Sequence, residues 1–301
     1  MYDVLGLGAV AVDDLLYVDE FPRPDGKTQV RAQARAGGGL AATALVAAAR
    51  LGSRTGFCGV LGEDDLSRFT LAELAREGVD CAPVVVRPGA RPIYAVVILC
   101  RDAPERCILF STQGVQPPTA ADLPERLIAS ARVLLVDHTV APAAVHAAGL
   151  ARLHHIPVVG DVEDAGFPEQ AAFLEHIDHL ILSLEWARRL SGADAPAACA
   201  RALSGPGRAA VVVTLGAAGC VYAVPGAPPV AVPALSVPAV DTTGCGDVFH
   251  GAYAACLAAG GDVPAAVRLA TVAAGLKTRQ PGGRAGIPTR AEVDQHLPRL
   301  A

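Results

Sequence analysis

Short, uninterrupted apolar runs recur along the chain between stretches of helical periodicity: Val133-Leu-Leu-Val136, Ile156-Pro-Val-Val159, His179-Leu-Ile-Leu182 and Ala210-Val-Val-Val-Thr214. A strand with one face in water alternates apolar and polar residues, so continuous apolarity demands cover on both faces. The pattern predicts an α/β fold in which helices flank a mostly parallel sheet.

Two stretches break this rhythm, at about 15–35 and 91–111. In the second, Ile93-Tyr-Ala-Val-Val-Ile-Leu99 and Cys107-Ile-Leu-Phe110 flank a polar turn from Asp102 to Arg106, which predicts a β-hairpin. Both stretches suit a small sheet that projects from the main body as a lid over a cleft. With no internal repeat and no low-complexity linker, the lid is expected to be inserted into one domain spanning 1–301.

Bulk properties narrow the partners. A formal net charge of -5 leaves no basic face for nucleic acid. The eight cysteines form no C-x-x-C pair and read as reduced thiols of a cytosolic protein. The opening residues lack a basic n-region and carry Asp13 and Asp14, which fits neither a secretory signal nor a membrane anchor. A cytoplasmic location and small-molecule chemistry are therefore expected.

The chemistry concentrates in Val240-Asp-Thr-Thr-Gly-Cys-Gly-Asp-Val-Phe-His-Gly251. Phe249, Ala252, Tyr253, Cys256 and Leu257 follow with helical spacing, so a helix starts near Asp247 with glycines at its N-terminus. Amides of Gly244, Cys245 and Gly246 can then face an anion, helped by the helix dipole. Asp247 beside them is placed to accept a proton from an attacking hydroxyl. Together these are the parts that phosphoryl transfer needs. A G-x-G-D taken alone is as readily a loop followed by an ordinary first-turn acid.

The segment D-T-T-G-C-G-D-x-F-x-G resembles the C-terminal signature of the ribokinase/PfkB carbohydrate kinases, with Cys245 where an alanine is usual. Gly37-Gly-Gly-Leu-Ala-Ala-Thr-Ala-Leu-Val-Ala-Ala-Ala-Arg-Leu-Gly52 and Gly59-Val-Leu-Gly-Glu-Asp-Asp65 resemble two further elements of that family in the same order. The resemblance spans nearly the whole chain. It implies a three-layer, ribokinase-like sandwich with a β lid, and an ATP- and Mg2+-dependent sugar kinase that dimerises through the lid. Asp247 matches the catalytic base, and Gly244, Cys245 and Gly246 the anion hole. Asp13 matches the aspartate that holds sugar hydroxyls, Gly38 and Gly39 the glycine pair beside the sugar, and Thr43 a position where most members carry a substrate-binding asparagine. Thr214, Gly216 and Gly219 match the nucleotide-binding turn. Ser183 and Glu185 stand in a degenerate form of the usual N-x-x-E. The resemblance also implies a K+ site on the backbone carbonyls of Asp241 and Thr243 with the 279–286 loop, although a guanidinium from Arg279 or Arg284 could replace that ion.

The run Leu276-Lys-Thr-Arg-Gln-Pro-Gly-Gly-Arg-Ala-Gly-Ile-Pro288, with G-D-V-F-H-G, resembles the branch that contains sulfofructose kinase. A sulfonate would need cations near the lid, for which Lys27, Arg31, Arg91, Arg101 and Arg106 are candidates, Lys27 first. His138 stands where that enzyme is expected to carry arginine, so a neutral ketose, ribose, a sugar acid or a nucleoside stays open as acceptor. A silent sugar sensor on the same fold is the rival that the degenerate N-x-x-E suggests. Gly6-Leu-Gly8 suggests a dinucleotide fold only weakly, since the third glycine is missing and a strand follows. Asp161 and Glu163, at a strand's C-terminal end, are candidates for the magnesium or phosphate site. Trp186 reads as a packing residue rather than an adenine platform.

Overall fold

The computed structural model describes residues 1–100, 106–164, 166–167, 169–205 and 207–300, and at Arg106 the backbone alone. The polar turn expected at 102–106 falls, but for that one backbone position, outside them, as do Arg101 and the side chain of Arg106.

Each expected buried strand is present, as Ala131–Asp137, Val158–Asp161, His179–Ser183 and Ala210–Thr214. They belong to a nine-stranded sheet in the order Val230–Val232, Cys220–Ala223, Ala210–Thr214, His179–Ser183, Val158–Asp161, Ala131–Asp137, Tyr2–Leu7, Thr55–Cys58 and Val79–Asp80. Pairing is parallel throughout except for the last two strands at the Val230–Val232 edge.

The apolar runs divide between two cores because successive side chains leave a strand on opposite faces. Val133, Leu135, Val159, Ile181 and Val212 join helices Leu40–Arg50, Cys245–Ala258 and Val263–Lys277 on one face. Leu134, Val136, Val158, Leu180 and Val211 join Ala141–Leu153 and Pro196–Leu203 on the other. These are the three expected layers.

A second sheet of four strands runs in the order Ala32–Gly38, Ala11–Val18, Ile93–Cys100 and Arg106–Ser111. The expected hairpin pairs Ile93–Cys100 with Arg106–Ser111 in antiparallel register. The first stretch is wider than the sequence suggested, since Ala11 pairs with Gly38 and Val12 with Gly37. Glycine is a poor strand former, and only pairing to a neighbour makes it one here.

Tyr2–Leu7 lies between Thr55–Cys58 and Ala131–Asp137, so the sheet is built outward from it in both directions. The carboxyl ends of strands flanking such a reversal open a crevice where ligands bind. Leu40–Arg50 and Cys245–Ala258 cross above it in close contact. A Cβ on Gly251 would stand 2.9 Å from the Ala44 Cα and nearer still to its carbonyl.

Gly251→Ala is therefore expected to lower stability by about 1–3 kcal/mol through overpacking against rigid backbone. Gly149→Ala should act oppositely, because its Cβ meets nothing nearer than His176 Nε2 at 3.9 Å within a helix, and alanine is favoured there by about 1 kcal/mol. Denaturant midpoints of the two variants read both effects.

Candidate active site

The crevice is closed at its base by Asp137, which is fully buried. Its Oδ2 accepts from the Ala9 amide at 2.7 Å and the Ala41 amide at 3.2 Å, and its Oδ1 from the Thr139 amide at 3.0 Å and from the Thr139 hydroxyl. Burial raises its pKa, and the hydrogen bonds from Thr139 and the Ala9 amide oppose that rise. A side chain at Gly8 would strike this carboxylate, with a Cβ 2.8 Å from Oδ1. Gly8 thus makes room for Asp137, not for a dinucleotide.

Gly244 and Gly246 sit, as expected, at a helix start. Gly244 caps Cys245–Ala258 at φ 75°, a left-handed conformation that glycine adopts without strain. The Cys245 amide turns back to the Thr242 carbonyl at 3.2 Å. Among the described residues, the Gly244 and Gly246 amides donate to no carbonyl or side chain, so they are the donors left for an anion. Asp241 braces the loop before them: Oδ1 accepts from the Thr243 amide at 2.8 Å and hydroxyl at 2.7 Å, and Oδ2 from the Gly282 amide at 2.7 Å. Burial opposes ionisation of Asp241, but these donors and the nearby Lys277 hold it below the usual carboxylate range.

Asp247 stands in the first helical turn, beside the open amides. Burial, then the charges of Glu163 and Asp137, push its pKa well above the ordinary value, against the pull of Arg284. Asp161 is buried behind it and is raised well above the ordinary value by burial and then by Glu163, Asp247 and Asp137. A Cβ on Gly246 would lie 4.0 Å from Glu163 Oε1, so this carboxylate borders the open amides as well. His250 Nδ1 lies 2.8 Å from the Gly246 carbonyl and 3.4 Å from Asp161 Oδ2, and Nε2 lies 3.1 Å from the Ile181 carbonyl. Burial depresses its pKa despite those two carbonyls. His250 links the helix start to the strand end, a role that its apolar surroundings in the sequence did not signal.

On the opposite wall, Asp13 extends from Ala11–Val18, and burial raises its pKa while Arg284 pulls it down. A Cβ on Gly38 would stand 3.0 Å from Asp13 Cγ, and one on Gly39, at φ 92°, 2.6 Å from the Val10 Cα. The glycine pair thus lets the wall close around Asp13. Thr43 is buried, and its hydroxyl accepts from Arg284 Nε at 3.2 Å, while Arg284 Nη2 donates to the Gly38 carbonyl at 2.7 Å. Thr43 therefore props a guanidinium where the sequence had suggested contact with substrate. Burial pulls the pKa of Arg284 down to about 10, against Asp13 and Asp247, so it stays cationic at neutral pH.

The other sequence candidates separate. Lys27 is exposed on the loop between Ala11–Val18 and Ala32–Gly38 and makes no hydrogen bond or ion pair with a described residue. Arg31 is engaged by Asp19 at 2.6 Å and Arg91 by Asp64 at 2.6 Å. His138 Nδ1 accepts from the Glu163 amide at 3.3 Å, and its ring is tilted against Phe167 at 5.8 Å.

Thr214, Gly216 and Gly219 line a mostly apolar cavity of about 440 Å³ that leads to Thr242, Cys245 and Gly246. The predicted nucleotide turn thus opens onto the predicted anion hole. Ser183 and Glu185 do not line it. Glu185 is exposed and pairs with Arg189 at 2.8 Å, and Arg189 also covers Trp186, 4.5 Å from the ring centroid, which packs on the core. The Asp241 carbonyl, expected to face K+, accepts instead from Lys277 Nζ at 3.0 Å. The residues present do not fit a K+ site there.

One cleft therefore joins an apolar slot, open amides at a helix start, a carboxylate of raised pKa, and an acid and a guanidinium on the facing wall. That is the equipment of a phosphotransferase acting on a polar hydroxylated acceptor. The model of the pfkB family carbohydrate kinases matches residues 1–290, and the chain belongs to that family. It is an ATP-dependent carbohydrate kinase. A ribokinase from Bacillus subtilis is 27% identical over 299 residues, covering 99% of this chain and 100% of that one. Fructokinase-1 from Zea mays is 28% identical over 309 residues, covering 93% and 94%. The structure of Arabidopsis thaliana ribokinase complexed with ribose and ATP superposes with a TM-score of 0.86 at 23% identity, covering 98% of each chain. Among the described residues no helix is long and apolar enough to cross a membrane.

Asp247→Asn is expected to lower kcat by about 10²–10⁴-fold, the usual contribution of a general base. In the parent enzyme the acid limb of kcat/KM should lie above the ordinary aspartate range of about 4, because the base works only when ionised. A carboxylate whose folded pKa is raised destabilises the fold as pH rises through that interval. The melting temperature of Asp247→Asn should therefore match the parent at low pH and exceed it near neutrality, which a pH series of thermal melts would read.

Proposed function

We propose that the enzyme transfers the γ-phosphoryl group of ATP to a primary hydroxyl of a small sugar, held between Asp13 and Arg284, with Asp247 as base. The observation that carries this reading is the juxtaposition of Asp247 with the open Gly244 and Gly246 amides in a cleft that Asp13 and Arg284 face. Asp247 takes the hydroxyl proton as the oxygen attacks the γ-phosphorus in line, the bond to the β-phosphate oxygen breaks, and ADP leaves. The amides and helix dipole meet the charge on the moving group, and the apolar cavity receives the adenosine end.

Glu163 and Asp161 form an acid cluster whose repulsion a divalent ion would relieve, which fits Mg2+ held on the polyphosphate beside Glu163. Bound there, Mg2+ would offset phosphate charge. Closure of the four-stranded sheet over the sugar would exclude water as a competing acceptor.

The preferred acceptor is a ketohexose derivative with an anionic group, such as sulfofructose. Uncommitted Lys27 and buried, cationic Arg284 support it, together with the 276–288 motif. A neutral ketose or ribose is the second reading, favoured by His138, whose Nδ1 is already occupied by the Glu163 amide where an arginine would offer an anion a fork of donors. ADP release would be measured with ATP, Mg2+ and a panel of sulfofructose, fructose, ribose, phosphosugars, sugar acids and nucleosides. Sulfofructose should give the highest kcat/KM, with Lys27→Met raising KM for it about tenfold or more and leaving fructose unaffected. A preference for neutral sugars would overturn the anionic reading, and binding without turnover would favour a sensor.

The eight thiols are joined in no disulfide, which fits a reducing, cytoplasmic setting. Homodimerisation through the second sheet completes the proposal. Its edge strand exposes Ile108, Leu109 and Phe110 at 47%, 58% and 71%, and an apolar edge invites pairing. Light scattering at micromolar concentration should report a dimer that Phe110→Glu dissociates; a monomeric parent would overturn it.

A further inference from the structure

Lys277 ends the helix Val263–Lys277 and is fully buried. An ammonium taken out of water is costly unless fixed acceptors replace its hydration. Its Nζ donates to the Asp241 carbonyl at 3.0 Å, and its charge contributes to keeping the Asp241 carboxylate ionised. The same helix end grips that residue from the other side: the Val240 and Asp241 amides donate to the Thr278 carbonyl at 2.7 and 3.0 Å. Asp241 is thus held by its amide, its carbonyl and its side chain. The side chain passes the constraint on to the Thr243 and Gly282 amides, and Gly244 follows with its own space limited by the Gly283 carbonyl, 2.8 Å from where a Cβ would lie. A cation at this point sets the backbone that leads into the open amides. The C-terminal end of a helix also favours positive charge.

The two guanidiniums of the neighbouring loop are engaged elsewhere. Arg279 Nε donates to the Leu276 carbonyl at 3.1 Å and its guanidinium lies 3.8 Å from Glu292, and Arg284 turns to Thr43 and Gly38. We propose that the Lys277 ammonium is a built-in monovalent cation, which replaces a bound K+ as the positioning element behind the anion hole and makes the enzyme independent of added monovalent ions. This rests on the phosphotransferase reading for its kinetic consequence, but not for its binding consequence.

The test compares parent enzyme and Lys277→Ala in choline chloride, NaCl, KCl and NH4Cl at equal ionic strength, by thermal melting and by steady-state kinetics. The parent is expected to keep its melting temperature and to change kcat less than twofold when KCl replaces choline chloride. Lys277→Ala should lose kcat by about 100-fold, the size of effect that about 1 Å of misplacement at a reacting centre produces, with the sugar KM little changed. KCl or NH4Cl should restore part of that loss and raise the variant's melting temperature, where choline chloride does neither. Several-fold activation of the parent by KCl would overturn the proposal, as would a folded Lys277→Ala that is fully active in choline chloride or that no monovalent ion rescues. Should the variant fail to fold, the parent's response to KCl decides alone. A parent inactive with every sugar would instead count against the phosphotransferase reading, and the melting response to KCl would still test the cation.

Discussion

The carboxylate of Asp137 ties together chain segments that are far apart in sequence, and the crevice exists because it does so. By accepting from the Ala9 and Ala41 amides it draws the end of the first strand and the start of the first helix onto the end of Ala131–Asp137. A buried carboxylate is tolerated only when donors replace its water, so this arrangement has little freedom to relax. It holds the two halves of the sheet at a fixed spacing where their order reverses. Asp13, the glycine pair and the Cys245–Ala258 helix are arranged around that fixed point.

Charge is distributed to match. The sheet is apolar along its length, and among the described residues the buried charged groups Asp137, Asp161, Arg284 and Lys277 gather at one end with His250, while buried His179 sits at the other end of its strand beside the Tyr253 hydroxyl. The acids raise one another, Asp247 among them, Arg284 pulls Asp247 and Asp13 back, and Lys277 helps to keep Asp241 ionised. Such a cluster costs folding energy and is kept rigid by its hydrogen bonds, which suits a reaction that depends on positioning and electrostatics.

Much of the fold was legible because it follows from local rules. Doubly buried strands leave unbroken apolar runs, and the interruptions at 15–35 and 91–111 marked the second sheet. The helix start at 244–247 was legible because glycine, acid and apolar periodicity fall in one short segment. The limits of the second sheet were not, since Gly37 and Gly38 become strand only through pairing with Ala11 and Val12. Glu185 illustrates the opposite failure: a motif position carried an acid, but the helix turned it to Arg189 and solvent.

The amino-acid sequence by itself determined the layered α/β architecture and the kinase family, and it singled out Asp247 as the candidate proton acceptor, because each is written in contiguous residues whose geometry is local. Only the tertiary structure decided what Thr43, Arg284, His250 and Lys277 do. Arg284 meets Thr43 and Gly38 across more than two hundred residues of chain, and Lys277 reaches the carbonyl of the loop residue Asp241 from the end of the helix Val263–Lys277. Long side chains are committed by the partners that folding brings to them, and burial removes the water that would otherwise leave those choices open.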